Sequence, residues 1–329
     1  MQLKKIFLFS FALISLLGAD DYELGHGVRI NDYLNVGGYF SAELESDKRN
    51  DTLTLDDVAV MAYGDLNPMV SYLAEFEAVT FYHKNFTDGT EDQNKKFHIE
   101  RLYGDLWMSD DFNIRFGKQI TPVGYWNMEP INVLRDTTSN PLYSKLLFPK
   151  FLTGIDINGY VPQTEGMKYH LFAQNNHDFD EEYINIPNTH FFGFALEKEL
   201  SMEWNTGGSI GEYISKTNQR TRFLQANLKY DDARWQLMTE ALIAKSEYDD
   251  LQDGYTLSGY AQGMYRYTPE HAFISRYEYY NDHHSEYKDH ILTLGYSYRP
   301  IYPISLKGEY QWHSQNDENR ALFSLSVLF

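Results

Sequence analysis

The chain contains no cysteine in its 329 residues. That excludes disulfides, thiolate metal sites and cysteine nucleophiles. Positive charge is scarce, with 28 lysines and arginines against 47 aspartates and glutamates and a formal net charge of −19. A surface this acidic repels a phosphate backbone, so nucleic acid is not an expected partner. Long apolar runs are also lacking. The one candidate, from Ile6 to Leu17, is shorter than the roughly 20 residues that carry a helix across a bilayer. It follows Lys4 and Lys5 and precedes Gly18-Ala19, which is the build of a secretory signal peptide cut after Ala19. The expected organisation is a signal peptide at 1–19 and a single mature unit at 20–329. Removing two lysines and no acid takes the net charge from −19 to −21.

What the chain does have is rings, 27 tyrosines and 21 phenylalanines. Amphipathic rings in such number need an interface to hold them. Apolar and polar residues alternate with period two, the mark of strands with two different faces. In "MVSYLAEFEAVTFY" the residues Val70, Tyr72, Ala74, Phe76 and Ala78 share one face, and Ser71, Glu75 and Glu77 the other. Sixteen such segments are readable, at 33–45, 53–65, 70–82, 97–109, 112–120, 151–162, 167–176, 189–198, 202–216, 220–230, 233–246, 254–267, 271–281, 289–299, 305–314 and 319–329. Their lengths match the roughly 9–11 residues of a tilted membrane strand. Connections alternate between tight turns such as "DLNPM" and "YDDAR" and longer or acidic loops such as "YHKNFTDGTEDQNKK" and "QNNHDFDEEYINIPN". An even strand number, unequal loops and rings at strand ends predict an all-β fold, a 16-stranded antiparallel transmembrane β-barrel of a bacterial outer membrane. Its surroundings would then be membrane lipid and lipopolysaccharide. Tyr230, Trp235, Tyr265, Tyr267, Tyr296, Tyr298 and Phe329 fall at one level with outward parity, an aromatic girdle. The closing "RALFSLSVLF" ends on an aromatic residue, similar to the terminal signature of outer-membrane barrels.

One connection breaks the scheme. Between the fifth and sixth strands lie about 30 residues, 121–150, without clean alternation, too long for a turn. Folded inward, this segment would narrow the aqueous lumen of a 16-stranded barrel to a constriction. The region carries Gly117-Lys118, Pro122 and Gly124, Arg135, Leu147 and Pro149, and Gly154 with Gly159. Over 115–159 it resembles the phosphate-selective porin O/P family, in which these elements recur in this order. The resemblance implies a passive channel and a homotrimer. The anion-selective members owe their preference to ladders of arginine and lysine, however, and this chain is acidic. Phosphate selectivity is therefore not carried over.

By face parity, Glu75, Glu77, Arg101, Asp105, Arg115, Arg234, Glu240, Arg266, Arg276 and Glu278 point into the lumen, and Glu129, Arg135, Asp136, Lys145 and Lys150 sit on the inserted loop. Glu75, Glu77, Arg101, Asp105, Arg115, Glu129, Arg135 and Asp136 are the expected constriction, with an acidic loop facing a basic wall. The function read from this is a passive outer-membrane channel for small polar or charged solutes, weakly preferring cations. Two alternatives stand beside it, an anion-selective porin and a non-conducting barrel whose acidic loops act as adhesin or scaffold.

Other constellations carry less. His283, His284, Asp289 and His290 share one outer loop, a possible metal cluster, although a solvated polar loop is the preferred reading. Ser275 and His290 have outward parity on neighbouring strands, the minimum for a surface hydrolase, but without a local motif. No enzyme activity, metal or cofactor is expected.

Overall fold

The computed structural model describes residues 24–181, 183–247, 254–315 and 318–329, and the expected signal peptide lies outside them. The sixteen wall strands are β1 (Leu34–Asp47), β2 (Asp51–Asn67), β3 (Val70–Ala78), β4 (His98–Ser109), β5 (Phe112–Ile120), β6 (Phe151–Tyr160), β7 (Met167–Gln174) and β8 (Asn188–Glu199), then β9 (Trp204–Ser215), β10 (Arg220–Asp231), β11 (Trp235–Glu247), β12 (Gly254–Arg266), β13 (His271–Asp282), β14 (Tyr287–Ile301), β15 (Ile304–His313) and β16 (Arg320–Leu328). Each pairs antiparallel with its chain neighbour, and β16 pairs with β1 from Arg320↔Asp47 to Leu328↔Tyr39. The sheet closes on itself, so no edge is left to pair elsewhere. Among the described residues, no helix is long and apolar enough to cross a membrane.

The alternation read from the sequence is the alternation of the wall. On β10 and β11, Leu224, Leu228, Leu237 and Ile243 are exposed, while Gln225, Asn227, Gln236 and Glu240 are buried. An apolar band outside and a polar interior reverse the arrangement of a soluble protein, which is what a bilayer demands. Rings cluster where strands reach the rim. Trp204 meets Tyr230 at 4.9 Å between ring centres, Trp235 meets Tyr265 at 4.7 Å, and Phe273 meets Tyr296 at 5.3 Å. The terminal Phe329 is tied by two backbone hydrogen bonds to Gly38, of 2.7 and 2.8 Å, extending the closing pair by one residue.

Two interruptions of the ladder shape the interior. Tyr39 pairs with Ala59 but Ser41 pairs with Asp56, so β2 carries one extra residue, and Asp57 sits there with a left-handed φ of 50°. Likewise Glu75 pairs with Arg101 and Phe76 with Ile99, leaving Glu100 as an extra residue of β4. A bulge breaks the two-residue period and lets consecutive side chains face the same way.

Candidate functional site

Residues 121–150 fold into the barrel. They contain two short helices, Tyr125–Met128 and Leu142–Leu146, and a 3₁₀ turn at Asn132–Leu134. Gly124, with φ of 70°, begins the first of these, and a Cβ there would lie 1.9 Å from the Glu240 carboxylate. Only glycine fits both the backbone conformation and the approach.

The loop is held from β11 to β15 by charged wall residues that reach its backbone. Glu240 is 1% exposed and accepts hydrogen bonds from the Trp126 amide (2.8 Å), the Tyr143 hydroxyl (2.9 Å), the Tyr260 hydroxyl (2.6 Å) and the Gln225 amide (3.2 Å). Glu278 accepts from the Leu142 amide at 2.9 Å, and Glu309 from the amides of Thr138 and Ser139 at 3.1 and 2.9 Å. The cations take the carbonyls and hydroxyls. Lys307 donates to the Asn132 carbonyl at 2.6 Å, Arg299 to the carbonyls of Val133 and Arg135, and Arg276 to the hydroxyls of Thr137 and Ser139 at 2.6 Å each. Irregular backbone at membrane depth is tolerated only when protein groups satisfy it in this way.

From β7 to β12 the lumen is closed by apolar packing. Val123, Trp126, Tyr143, Leu147 and Phe148 of the loop join Phe172, Phe191, Tyr213, Phe223, Leu242 and Tyr260 of the wall in one buried cluster. Its rings meet edge-on or tilted, as at Tyr143–Phe148 (5.7 Å) and Phe148–Phe223 (5.9 Å), each such pair contributing about 1 kcal/mol beyond area burial. A smaller contact seats Ile131 and Val133 against Tyr39, Ala59, Met61 and Leu328.

Between these contacts remains a cavity of about 400 Å³. One side is acidic, with Glu43 and Glu45 from β1, Asp56 and Asp57 from β2, Glu77 from β3 and Glu100 from β4. The opposite side is the loop, with Arg135, Lys145 and Lys150, and Arg320 of β16 completes the lining. The expected polarity is thus reversed, since the wall at the opening is acidic and the loop presents the cations. The physical reason is that the wall's other cations are already taken, Arg299 and Lys307 by loop carbonyls, Arg276 by loop hydroxyls and Glu278, and Arg101 and Arg115 by Glu75 and Asp105.

The expected constriction residues are distributed as follows. Glu77 and Arg135 line the cavity. Arg135 donates to the Glu129 carbonyl at 2.6 Å and lies 5.7 Å from the Trp126 ring centre. Arg101 is ion-paired to the buried Glu75. Nearer the tight turn, Arg115 holds Asp105 with two bonds of 2.6 and 3.0 Å and covers the Tyr103 ring at 4.0 Å. Glu129 is exposed and Asp136 half-buried, on the part of the loop facing Arg299. Burial pushes the Asp136 carboxyl above the usual carboxylate range, against the pull of Arg299 and Lys307. Arg234 does not reach the lumen wall. It lies exposed in the turn after β10, while Arg266 pairs with Asp231 at 2.9 Å at the same end. Parity read too far into the turn is the cause.

A second connection also reaches inward. The loop after β7 reads as an outer acidic loop, yet Tyr183 is 4% exposed, hydrogen-bonds Glu77 and lines the cavity. Lys118, fully buried, anchors it through Asp178 at 2.9 Å, and His98 reaches Asp180 at 3.1 Å. Burial opposes ionisation of Asp180, but the His98 ring and the Ile99 amide outweigh it and hold the carboxyl below its usual range. The outer histidines are not gathered as the sequence reading allowed. His290 bonds the Tyr277 hydroxyl at 2.6 Å and His283 bonds Asn281 at 3.1 Å, whereas Asp289 groups with His313 and Glu318. Ser275 pairs in register with Leu294, four residues along from His290, which faces Tyr279.

Set beside solved structures, this fold is that of the bacterial outer-membrane barrels. The chain is similar to the outer membrane protein OmpT of Vibrio cholerae in its trimer form, with a TM-score of 0.66 at 10% identity over 90% of this chain and 99% of that one. It is similar also to an anion-selective porin from Comamonas acidovorans (TM-score 0.65, 11% identity, 90% and 99% covered) and to the outer membrane channel DcaP of Acinetobacter baumannii (0.63, 10%, 93% and 100%). No family model matches the chain, and neither does any curated protein. The likeness over 115–159 therefore stands at the level of a porin-like barrel. Its motif glycines are nonetheless structurally special, Gly117 and Gly124 both having positive φ, at 122° and 70°.

Proposed function

We propose that the chain is a passive channel of the bacterial outer membrane, exported by its first 19 residues, that passes small polar or charged solutes with a weak preference for cations. The observation that carries this reading is the cavity left between the inserted loop and the acidic strands β1–β4. Charge acts at close range in a narrow path, and there the wall's carboxylates outnumber the loop's cations. The solved porins of similar fold support the same class of function, and the trimer form of the Vibrio protein supports a homotrimer here. Glu77 and Arg135 belong to the constriction in this reading, whereas Arg101 and Arg115 act there only through their partners Glu75 and Asp105. Catalysis forms no part of it.

A non-conducting barrel is the second reading, favoured by apolar contacts of the loop on two sides of the lumen. Single-channel recording in a planar bilayer separates the two. Discrete conductance steps in potassium chloride, with a reversal potential slightly on the cation side, are expected. A silent barrel, or a clear anion preference, would overturn the proposal.

A further inference from the structure

The charges around the cavity do not balance internally, and the residue they leave describes a class of solute. Two pairs neutralise themselves, Glu45 with Arg320 at 3.1 Å and Glu100 with Lys150 at 3.7 Å. Glu43, Asp56, Asp57 and Glu77 have only neutral donors among the described residues: the Asn132 amide at 2.6 Å, the Thr80 backbone amide at 2.6 Å, the Ser41 hydroxyl at 3.2 Å and the Tyr183 hydroxyl. Across the space, Arg135 donates to a carbonyl and to the Asn140 side chain, and Lys145 stands exposed on its helix, neither with an ion-paired carboxylate among the described residues.

From this arrangement we infer that the cavity binds small basic amphoteric molecules, with two cationic groups and one carboxylate, of which a free basic amino acid is the simplest. The inference rests on the channel reading above. A plain anion meets uncompensated carboxylates on the wall. A plain cation is matched by the wall but meets Arg135 and Lys145 opposite. A neutral solute satisfies neither side. A molecule presenting cations to Asp56 and Asp57 and a carboxylate to Lys145 satisfies both, in a space at the small end of the roughly 300–1,000 Å³ of ligand pockets. Neither bulge-linked aspartate is required for the backbone. An asparagine at position 56 keeps an oxygen for the Thr80 amide, and asparagine tolerates the left-handed φ at position 57.

The test uses the full mature chain in planar bilayers, with L-arginine, agmatine (its decarboxylated analogue), L-glutamine and L-glutamate added to a potassium chloride current. Arginine is expected to block several-fold more often than glutamine or glutamate and to dwell longer than agmatine. Asp56→Asn with Asp57→Asn should remove most of the arginine block, and Lys145→Gln should erase the advantage over agmatine. Each comparison is a ratio within one variant whose folding is checked by its heat-dependent gel mobility. If the double variant does not fold, Glu43→Gln makes the same test. Equal block by all four solutes in a conducting channel overturns the inference and leaves the channel intact. Absence of any conductance overturns both.

Discussion

The two sides of the lumen use charge in opposite ways. From β11 to β15 the wall's carboxylates and cations are bound to the inserted loop, and Glu240, Glu278, Glu309, Arg276, Arg299 and Lys307 all end on its backbone or side chains. From β1 to β4 six carboxylates line the cavity, and four of them, Glu43, Asp56, Asp57 and Glu77, have no ion-pair partner among the described residues. A charged residue in a barrel interior is therefore not by itself a pore residue. What distinguishes the two roles is whether a partner in the same chain has already taken the charge.

The largest effect is expected from breaking the holding side. Glu240→Ala leaves the Trp126 amide and two tyrosine hydroxyls without their acceptor, at a cost on the order of 3 kcal/mol. A lower melting temperature and a larger, noisier conductance should follow, measured by thermal scans and bilayer recording. Gly124→Val should do the same through a clash with Glu240; an unchanged conductance in both would place the loop elsewhere. Next in size, Lys145→Glu removes one of two uncompensated cations and should move the reversal potential toward cations. Arg115→Glu should move it less, because Asp105 already neutralises that arginine. The reverse order would show that the constriction lies nearer the tight turns. The smallest shift is expected from reversing charges in the 83–96 outer loop, and it should vanish at about 1 M salt, where the screening length falls to roughly 3 Å.

Much of this was legible before the structure. Period-two alternation located all the wall strands because lipid outside and water inside impose opposite polarity on successive residues. The inserted loop was legible because its length and lack of alternation fit neither a turn nor a strand. Of the acidic side of the cavity, the sequence pattern pointed to Glu77 alone. Asp56 with Asp57, and Glu100 beside Arg101, owe their positions to bulges, and parity counting fails once an extra residue enters a strand. Nor was the polarity of the opening legible, because it depends on which partners the wall cations find in the folded chain. The "DD" pair at 56–57 inside an otherwise alternating strand was the signal of the first bulge.

The absence of cysteine makes the side of the water path directly measurable. Glu43→Cys places a thiol on the acidic side, and Phe223→Cys places one in the ring cluster that closes the other side. In a conducting channel exposed to a charged, membrane-impermeant thiol reagent, the Glu43→Cys variant is expected to be labelled and its conductance to fall, while the Phe223→Cys variant is unaffected. Rapid labelling of Phe223→Cys with Glu43→Cys inert would contradict a path along β1–β4.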